Sequence, residues 1–205
     1  MRYLYYMGWN LAVTVPWKNA IGLAVSESEG GPFRRWSRFP IVPLDEIDPY
    51  TISCPWVMRD GNRYRNVVWL ELALGPEKKD MLHVIKYEES TDAVHWDKHN
   101  RGVIDSGSPD ENAICKPCVV KDSTSYRMWL CIAGGETYRI QSAVSYAGCN
   151  WTRLGKDNGI DVSSEGWDSE MIEYPCVFDH SGQRFLLYAG NGFGATGFGL
   201  AVLDR

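Results

Sequence analysis

The sequence predicts an all-β chain, a β-propeller of four-stranded antiparallel blades, and three observations carry that prediction. A proline-centred segment occurs three times, as ISCPWVMRDGNRYRNVVWL (52–70), ICKPCVVKDSTSYRMWLCI (114–132) and IEYPCVFDHSGQRFLLYAG (172–190). A second segment recurs between these copies: IGLAVSES (21–28), VIKYEEST (84–91) and IQSAVSYA (140–147), followed by Trp36, Trp96 and Trp151. Almost no stretch carries helical periodicity, and the prolines at 55, 117 and 175 set a period of roughly 60 residues, somewhat longer than that of common propeller repeats.

Each proline-centred copy has an apolar run, a polar turn and a second β-rich run thick with aromatic residues. The turns are Arg59-Asp60-Gly61-Asn62, Lys121-Asp122-Ser123 and Asp179-His180-Ser181-Gly182. This is the pattern of a β-hairpin. RYLYYMGWN (2–10) matches the second strand of a blade and FGLAVLDR (198–205) matches the third. The chain therefore divides into a partial blade over 1–45, whole blades over 46–107 and 108–165, and a partial blade over 166–205, about three and a half in one domain. Such ends expose edge strands, which proteins normally avoid. The chain is read either as a piece of a larger propeller or as one half of a homodimer whose two copies complete one another.

A chain of 205 residues with 44% hydrophobic content suffices for one well-buried domain. A net charge of −5, with Lys and Arg scattered, argues against nucleic-acid binding. Nine Trp and eleven Tyr suit stacking on sugars, and also suit a β core. The apolar run at the N-terminus is interrupted by Gly8, Trp9 and Asn10 and is too short for a signal peptide, and no stretch reaches the ~20 apolar residues of a membrane span. A cytoplasmic chain without membrane partners is expected. In that setting the six cysteines are expected to stay reduced, and the sequon Asn150-Trp151-Thr152 has no consequence.

Two motifs invite functional readings that their surroundings do not support. Cys115-Lys116-Pro117-Cys118 has dithiol spacing, but a strand, a turn and another strand follow it where a redox site needs a helix N-terminus. The same register holds Ser53-Cys54-Pro55-Trp56 and Glu173-Tyr174-Pro175-Cys176, so the proline belongs to the repeat and the cysteines read as buried structural residues. Gly192-Phe193-Gly194-Ala195-Thr196-Gly197 fits GxGxxG, but too few residues follow for a phosphate-binding helix, and the glycines read as a tight loop between the last two strands. His83, His95, His99 and His180 have no metal-ligand spacing, and no GxSxG elbow is present. No metal-ligating residues are identified, although these motifs would not reveal every metal site, and no nucleotide, flavin or haem is expected.

The carboxylates are more informative. In a propeller the first strand of each blade lines the central channel, so groups at the starts of those strands converge. The candidates are Asp48 and Ser53 before Pro55, Asp110 and Glu111 before Pro117, and Asp168, Glu170 and Glu173 before Pro175. Two opposed carboxyl groups suit glycosidic cleavage, one protonating the leaving oxygen while the other activates water or attacks. Glu173, two residues before its proline, stands out as the acid; the alternative is a solvated loop residue. Asp48 is the supporting candidate. Glu111, Asp168, Glu170, Trp56 and Trp167 are candidates for holding substrate, an oligosaccharide or glycoside.

The Ser-then-Trp repeat and the segment DSEMIEYPCVFDHSGQRFLLYAGNGFGATGFGLAVL (168–203) resemble the five-bladed propellers of glycoside hydrolase family 43 and its relatives in families 32, 68 and 130. The resemblance implies an incomplete five-bladed ring. It further implies an Asp base or nucleophile, a second orienting Asp and a Glu proton donor, each at the start of an inner strand. Glu173, in Glu-Tyr-Pro, is similar in placement to that Glu. The chain departs from the pattern at the other two inner strands, which carry Ser53-Cys54 and Cys115-Lys116 before the proline where an Asp is expected. Two readings follow: a glycosidase, hydrolytic or phosphorolytic, with Glu173 as acid, or a propeller with a degenerate site that binds carbohydrate or protein without catalysis.

Overall fold

The computed structural model describes residues 1–13, 17–73, 82–104, 107–108, 110–134, 137–155 and 159–203. The last two residues of FGLAVLDR lie outside the described residues. The chain forms two compact units, Met1–Gly102 and Val103–Arg205, and antiparallel sheets build both.

In the first unit, β1 (Arg2–Leu11), β2 (Trp17–Ser26) and β3 (Arg34–Arg35) form one sheet in that order. β4 (Thr51–Asp60), β5 (Arg63–Ala73), β6 (Leu82–Ser90) and β7 (Asp97–Gly102) follow one another in a second. Strand alternation turns Ile21, Ile52, Val68 and Leu70 inward, where Val42 joins them and Tyr5, Leu44, Val84 and Trp96 pack around the cluster. The second unit pairs β8 (Glu111–Lys121), β9 (Tyr126–Gly134), β10 (Thr137–Ser145) and β11 (Thr152–Arg153) in sequence. A further sheet holds β12 (Glu173–His180), β13 (Gln183–Ala189) and β14 (Phe198–Val202). Its core includes Cys118, Met128, Leu130, Cys131, Ile140, Ala143, Ile172 and Val177, all buried.

Each proline-centred segment is a hairpin: β4–β5, β8–β9 and β12–β13. In the last, His180 pairs with Gln183 across Ser181 and Gly182, both at positive φ (49° and 78°), as a two-residue type I′ turn requires. The Ser-then-Trp repeat also has a structural cause. Ser90 Oγ accepts the Ala93 N–H at 2.8 Å, and Ser145 Oγ accepts the Gly148 N–H at 2.8 Å. Ala93 and Gly148 both sit in the left-handed region (φ 65° and 76°). The hydroxyl thus closes a turn at the end of the third strand and brings the chain round to Trp96 or Trp151.

Candidate carboxylate site

The first strands of the three hairpins, β4, β8 and β12, share one irregularity. Between Ser53 and Trp56, between Cys115 and Cys118, and between Glu173 and Cys176, the register shifts so that an extra residue is accommodated. These are β-bulges, which bend a strand and re-aim its side chains. The residue preceding each proline has positive φ: Cys54 at 50°, Lys116 at 54° and Tyr174 at 55°. A non-glycine residue held there costs on the order of 1–3 kcal/mol, and a residue before proline is ordinarily extended. The proline has no N–H to give to a ladder. Ser53, Cys115 and Glu173 thereby occupy equivalent places, and all three are buried.

Of the three, Glu173 is the one carboxylic acid. Its residue is 1% exposed, and Oε1 is buried without a hydrogen-bond partner among the described residues. Burial pushes its carboxyl up from 4.5 to about 7, against the opposing pull of the Lys116 ammonium and a hydrogen bond with Tyr174. The Lys116 Nζ lies over the Tyr174 ring, 4.7 Å from its centroid. Tyr138, on β10, has its hydroxyl pushed up by burial and then by Cys115, Cys131, Glu173 and Tyr174. Its ring meets Phe193 edge-on at 6.1 Å, and Phe193 is 54% exposed. The result is a buried carboxyl poised between its two protonation states, with an ammonium and aromatic rings around it, a setting suited to proton donation.

The segment that leads into β12 holds three more of the sequence candidates. Asp168 is buried, and its Oδ2 accepts a hydrogen bond from the Tyr188 hydroxyl at 3.0 Å. Trp167 stacks on Tyr188 with ring centroids 5.5 Å apart. It fits because Gly199 has no Cβ, which would stand 2.7 Å from the rings of both Trp167 and Tyr188. Glu170 is exposed. Sequence reasoning missed Asn191, whose Oδ1 accepts the N–H groups of Glu170 (2.8 Å) and Met171 (3.1 Å) and whose Nδ2 donates to Gly166 O (3.2 Å). Asn191 opens the glycine-rich loop that carries Phe193, so this loop, which runs from β13 to β14, is tied to the segment 166–171 that precedes β12. Its position immediately ahead of GxGxxG was the available signal.

Glu111 begins β8, but Arg153 grips both its oxygens, at 2.6 and 2.8 Å, and the Gly107 N–H adds a third bond at 2.7 Å. In the first unit, buried Asp48 is similarly engaged. Its Oδ1 lies 2.6 Å from the Lys86 Nζ and its Oδ2 lies 3.4 Å from the Lys98 Nζ. Lys98 also reaches Asp45 at 2.7 Å. Asp48 thus anchors the loop before β4 to β6 and β7. Half-buried Trp56 follows the first bulge. A second carboxyl that sequence reasoning passed over is Glu88, on the inward-facing side of β6: burial pushes it up to about 7, Asn66 donates to Oε2 at 2.8 Å, and Oε1 has no partner among the described residues. Among those residues no group of three or more His, Cys, Asp or Glu gathers as a metal site. The six cysteines form no disulfide with one another.

Solved structures of carbohydrate-active enzymes share this fold. One glycoside hydrolase superposes with a TM-score of 0.77 at 18% identity, over 98% of this chain and 61% of that one. A thermostable family-43 glycoside hydrolase gives 0.74 at 15%, over 92% and 64%. A complex of BT0996 with RGII gives 0.71 at 18%, over 90% and 56%. Structures from families 32 and 130 match as well. The chain therefore has the fold of the propeller glycosidases over part of their length, spanning 56% to 64% of most of these structures and 39% of the family-32 one. No protein-family model matches it. In sequence it is 59% identical over 204 residues to the uncharacterized protein MT1551 of Mycobacterium tuberculosis, covering 100% of this chain and 68% of that protein. It is 58% identical to the uncharacterized protein Rv1502 of another strain, with the same coverage. The chain belongs to the family of these mycobacterial proteins.

Proposed function

We propose that this chain is the acid-bearing part of a carbohydrate-active propeller and that Glu173 is the proton donor to a glycosidic oxygen. One observation carries the reading. Of the three equivalent bulge positions, one holds a carboxyl, and it is buried, lacks a partner on Oε1 among the described residues and is raised to about 7. An acid with that affinity retains its proton near neutral pH and can surrender it to a leaving group. The neighbour in complex with RGII supports a carbohydrate as the ligand class. Phe193, Tyr138 and Tyr174 offer rings for a sugar face, and the substrate is expected to be an oligosaccharide or glycoside.

The test is turnover of a panel of aryl glycosides and oligosaccharides by the wild type and by Glu173→Gln. The reading expects loss of at least a hundredfold in kcat with the fold intact. A Gln variant that keeps wild-type turnover overturns it.

A second reading, carbohydrate binding without cleavage, is favoured by the other carboxylates. Asp48 is engaged by two lysines, and Glu111 by a bidentate arginine, so neither is available to activate water. Saturable oligosaccharide binding that persists in Glu173→Gln, with no product from either protein, selects this reading.

A further inference from the structure

The bulge in β12 takes its backbone out of the regular ladder between Glu173 and Cys176. Two N–H groups in and beside that interval are taken up by sulfur. The Tyr174 N–H donates to Cys131 Sγ at 3.2 Å and the Val177 N–H donates to Cys118 Sγ at 3.0 Å, while the Cys118 thiol donates back to Val177 O at 3.8 Å. Both cysteines are 0% exposed. They sit on β9 and β8, in the sheet packed against β12 within the second unit. A valine or leucine there would fill the same space and leave a buried N–H without an acceptor, at a cost of about 1–3 kcal/mol. Cysteine is small and apolar enough for a core and still presents a weak acceptor.

Reactivity does not explain these thiols. Burial pushes Cys118 up to about 12 and Cys131 well above the ordinary thiol range, so both stay protonated and inert as nucleophiles. The groups that act on Glu173 are Lys116 from β8, Cys131 from β9, Tyr138 from β10, and Tyr174 from its own strand. Cys131 is thus a neighbour of the carboxyl and also the acceptor for the residue that follows it.

We propose that Cys131 and Cys118 are positioning residues for Glu173, two buried thiols that hold the bulged strand through its own N–H groups and so fix the carboxyl in its buried setting. The inference deepens the reading of Glu173 as an acid and rests on it. The CxxC spacing is then the trace of a packing contact in which one member, Cys118, holds β12, and its true partner in that task is Cys131.

Amide exchange by NMR on the whole chain is the first test. Slow exchange is expected at Tyr174 and Val177 in the wild type, and rates near those of open chain at both positions overturn the proposal. Cys131→Ala should speed exchange at Tyr174 at least tenfold and leave the β4–β6 amides unchanged, whereas Cys131→Ser should retain protection. In parallel, the Glu173 carboxyl is titrated by infrared difference against Glu173→Gln. Loosening admits water, so the midpoint in Cys131→Ala should fall by about one unit and return in Cys131→Ser. A folded Cys131→Ala with a protected Tyr174 amide and an unmoved midpoint refutes the proposal. If the alanine variant does not fold, wild-type exchange together with the serine variant decides. Neither readout needs turnover: retained activity in Glu173→Gln would remove the acid and leave these results standing or falling by themselves.

Discussion

Glu173→Gln should change stability as well as chemistry, with a sign fixed by the setting of the carboxyl. Its affinity for a proton is raised on folding, from 4.5 to about 7. Between those two values the folded chain binds more protons than the unfolded one, so stability falls as pH rises through the window and levels off above it. The shift corresponds to about 3 kcal/mol, at ~1.4 kcal/mol per unit. Glutamine has nearly the same shape and does not titrate. The difference in unfolding free energy, wild type minus variant, should therefore drop by about 3 kcal/mol between pH 4.5 and pH 8. Urea unfolding at half-unit pH intervals measures it. Taking the difference cancels Glu88, which titrates in the same range in both proteins. A difference that stays flat across the window means that Glu173 is solvated or paired in the folded chain, and it removes the physical basis for treating this residue as an acid. A falling difference combined with lost turnover gives the signature of a carboxyl that destabilises the fold and serves chemistry.

Three further substitutions check the surrounding framework. Lys86→Met leaves Asp48 buried with only the more distant Lys98 and should destabilise the first unit by about 3 kcal/mol, read from urea unfolding. Gly199→Ala drives a methyl into Trp167 and Tyr188 and should cost about 1–3 kcal/mol, with a change in tryptophan fluorescence as the rings part. Gly148→Ala places a side chain in the left-handed region and should cost about 1 kcal/mol, whereas Ala93→Gly at the matching turn relieves the same strain and should be neutral or slightly stabilising.

Much of the strand plan was legible because hairpins declare themselves locally. The proline-centred segments, their polar turns and the Ser-then-Trp spacing are each fixed by neighbours in sequence, and each became a hairpin or a hydroxyl-closed turn. The place of Glu173 was legible for the same reason, since two residues before a repeated proline is a local address. Its chemical character was not. Burial, an Oε1 without a partner among the described residues and the pull of Lys116 depend on other strands and another sheet, which spacing along one strand does not encode. Asp48 and Glu111 show the converse: as carboxylates ahead of inner strands they resembled Glu173 in sequence, and Lys86, 38 positions away, and Arg153, 42 positions away, engage them. Asn191 was hidden beside a motif that drew attention to its glycines. Glu88 was hidden because a charged residue in an alternating strand ordinarily faces solvent.

The three bulges also bear on what backbone strain can be used to argue. Positive φ at Cys54, Lys116 and Tyr174 is the kind of feature that marks functional sites, yet two of the three equivalent positions present only a serine hydroxyl and a thiol. Ser53 Oγ accepts from the Asn19 side chain at 2.9 Å, which is a structural bond within the first unit. The bulge is therefore a property of the repeat, one that turns the residue two before each proline into a buried place irrespective of what stands there. Strain alone would have nominated all three strands. What separates β12 is that the buried place holds a carboxyl, and that two thiols are spent on the backbone beside it. A test confined to the bulge cannot distinguish these strands, whereas titration of Glu173 and exchange at Tyr174 read the two features that β12 combines.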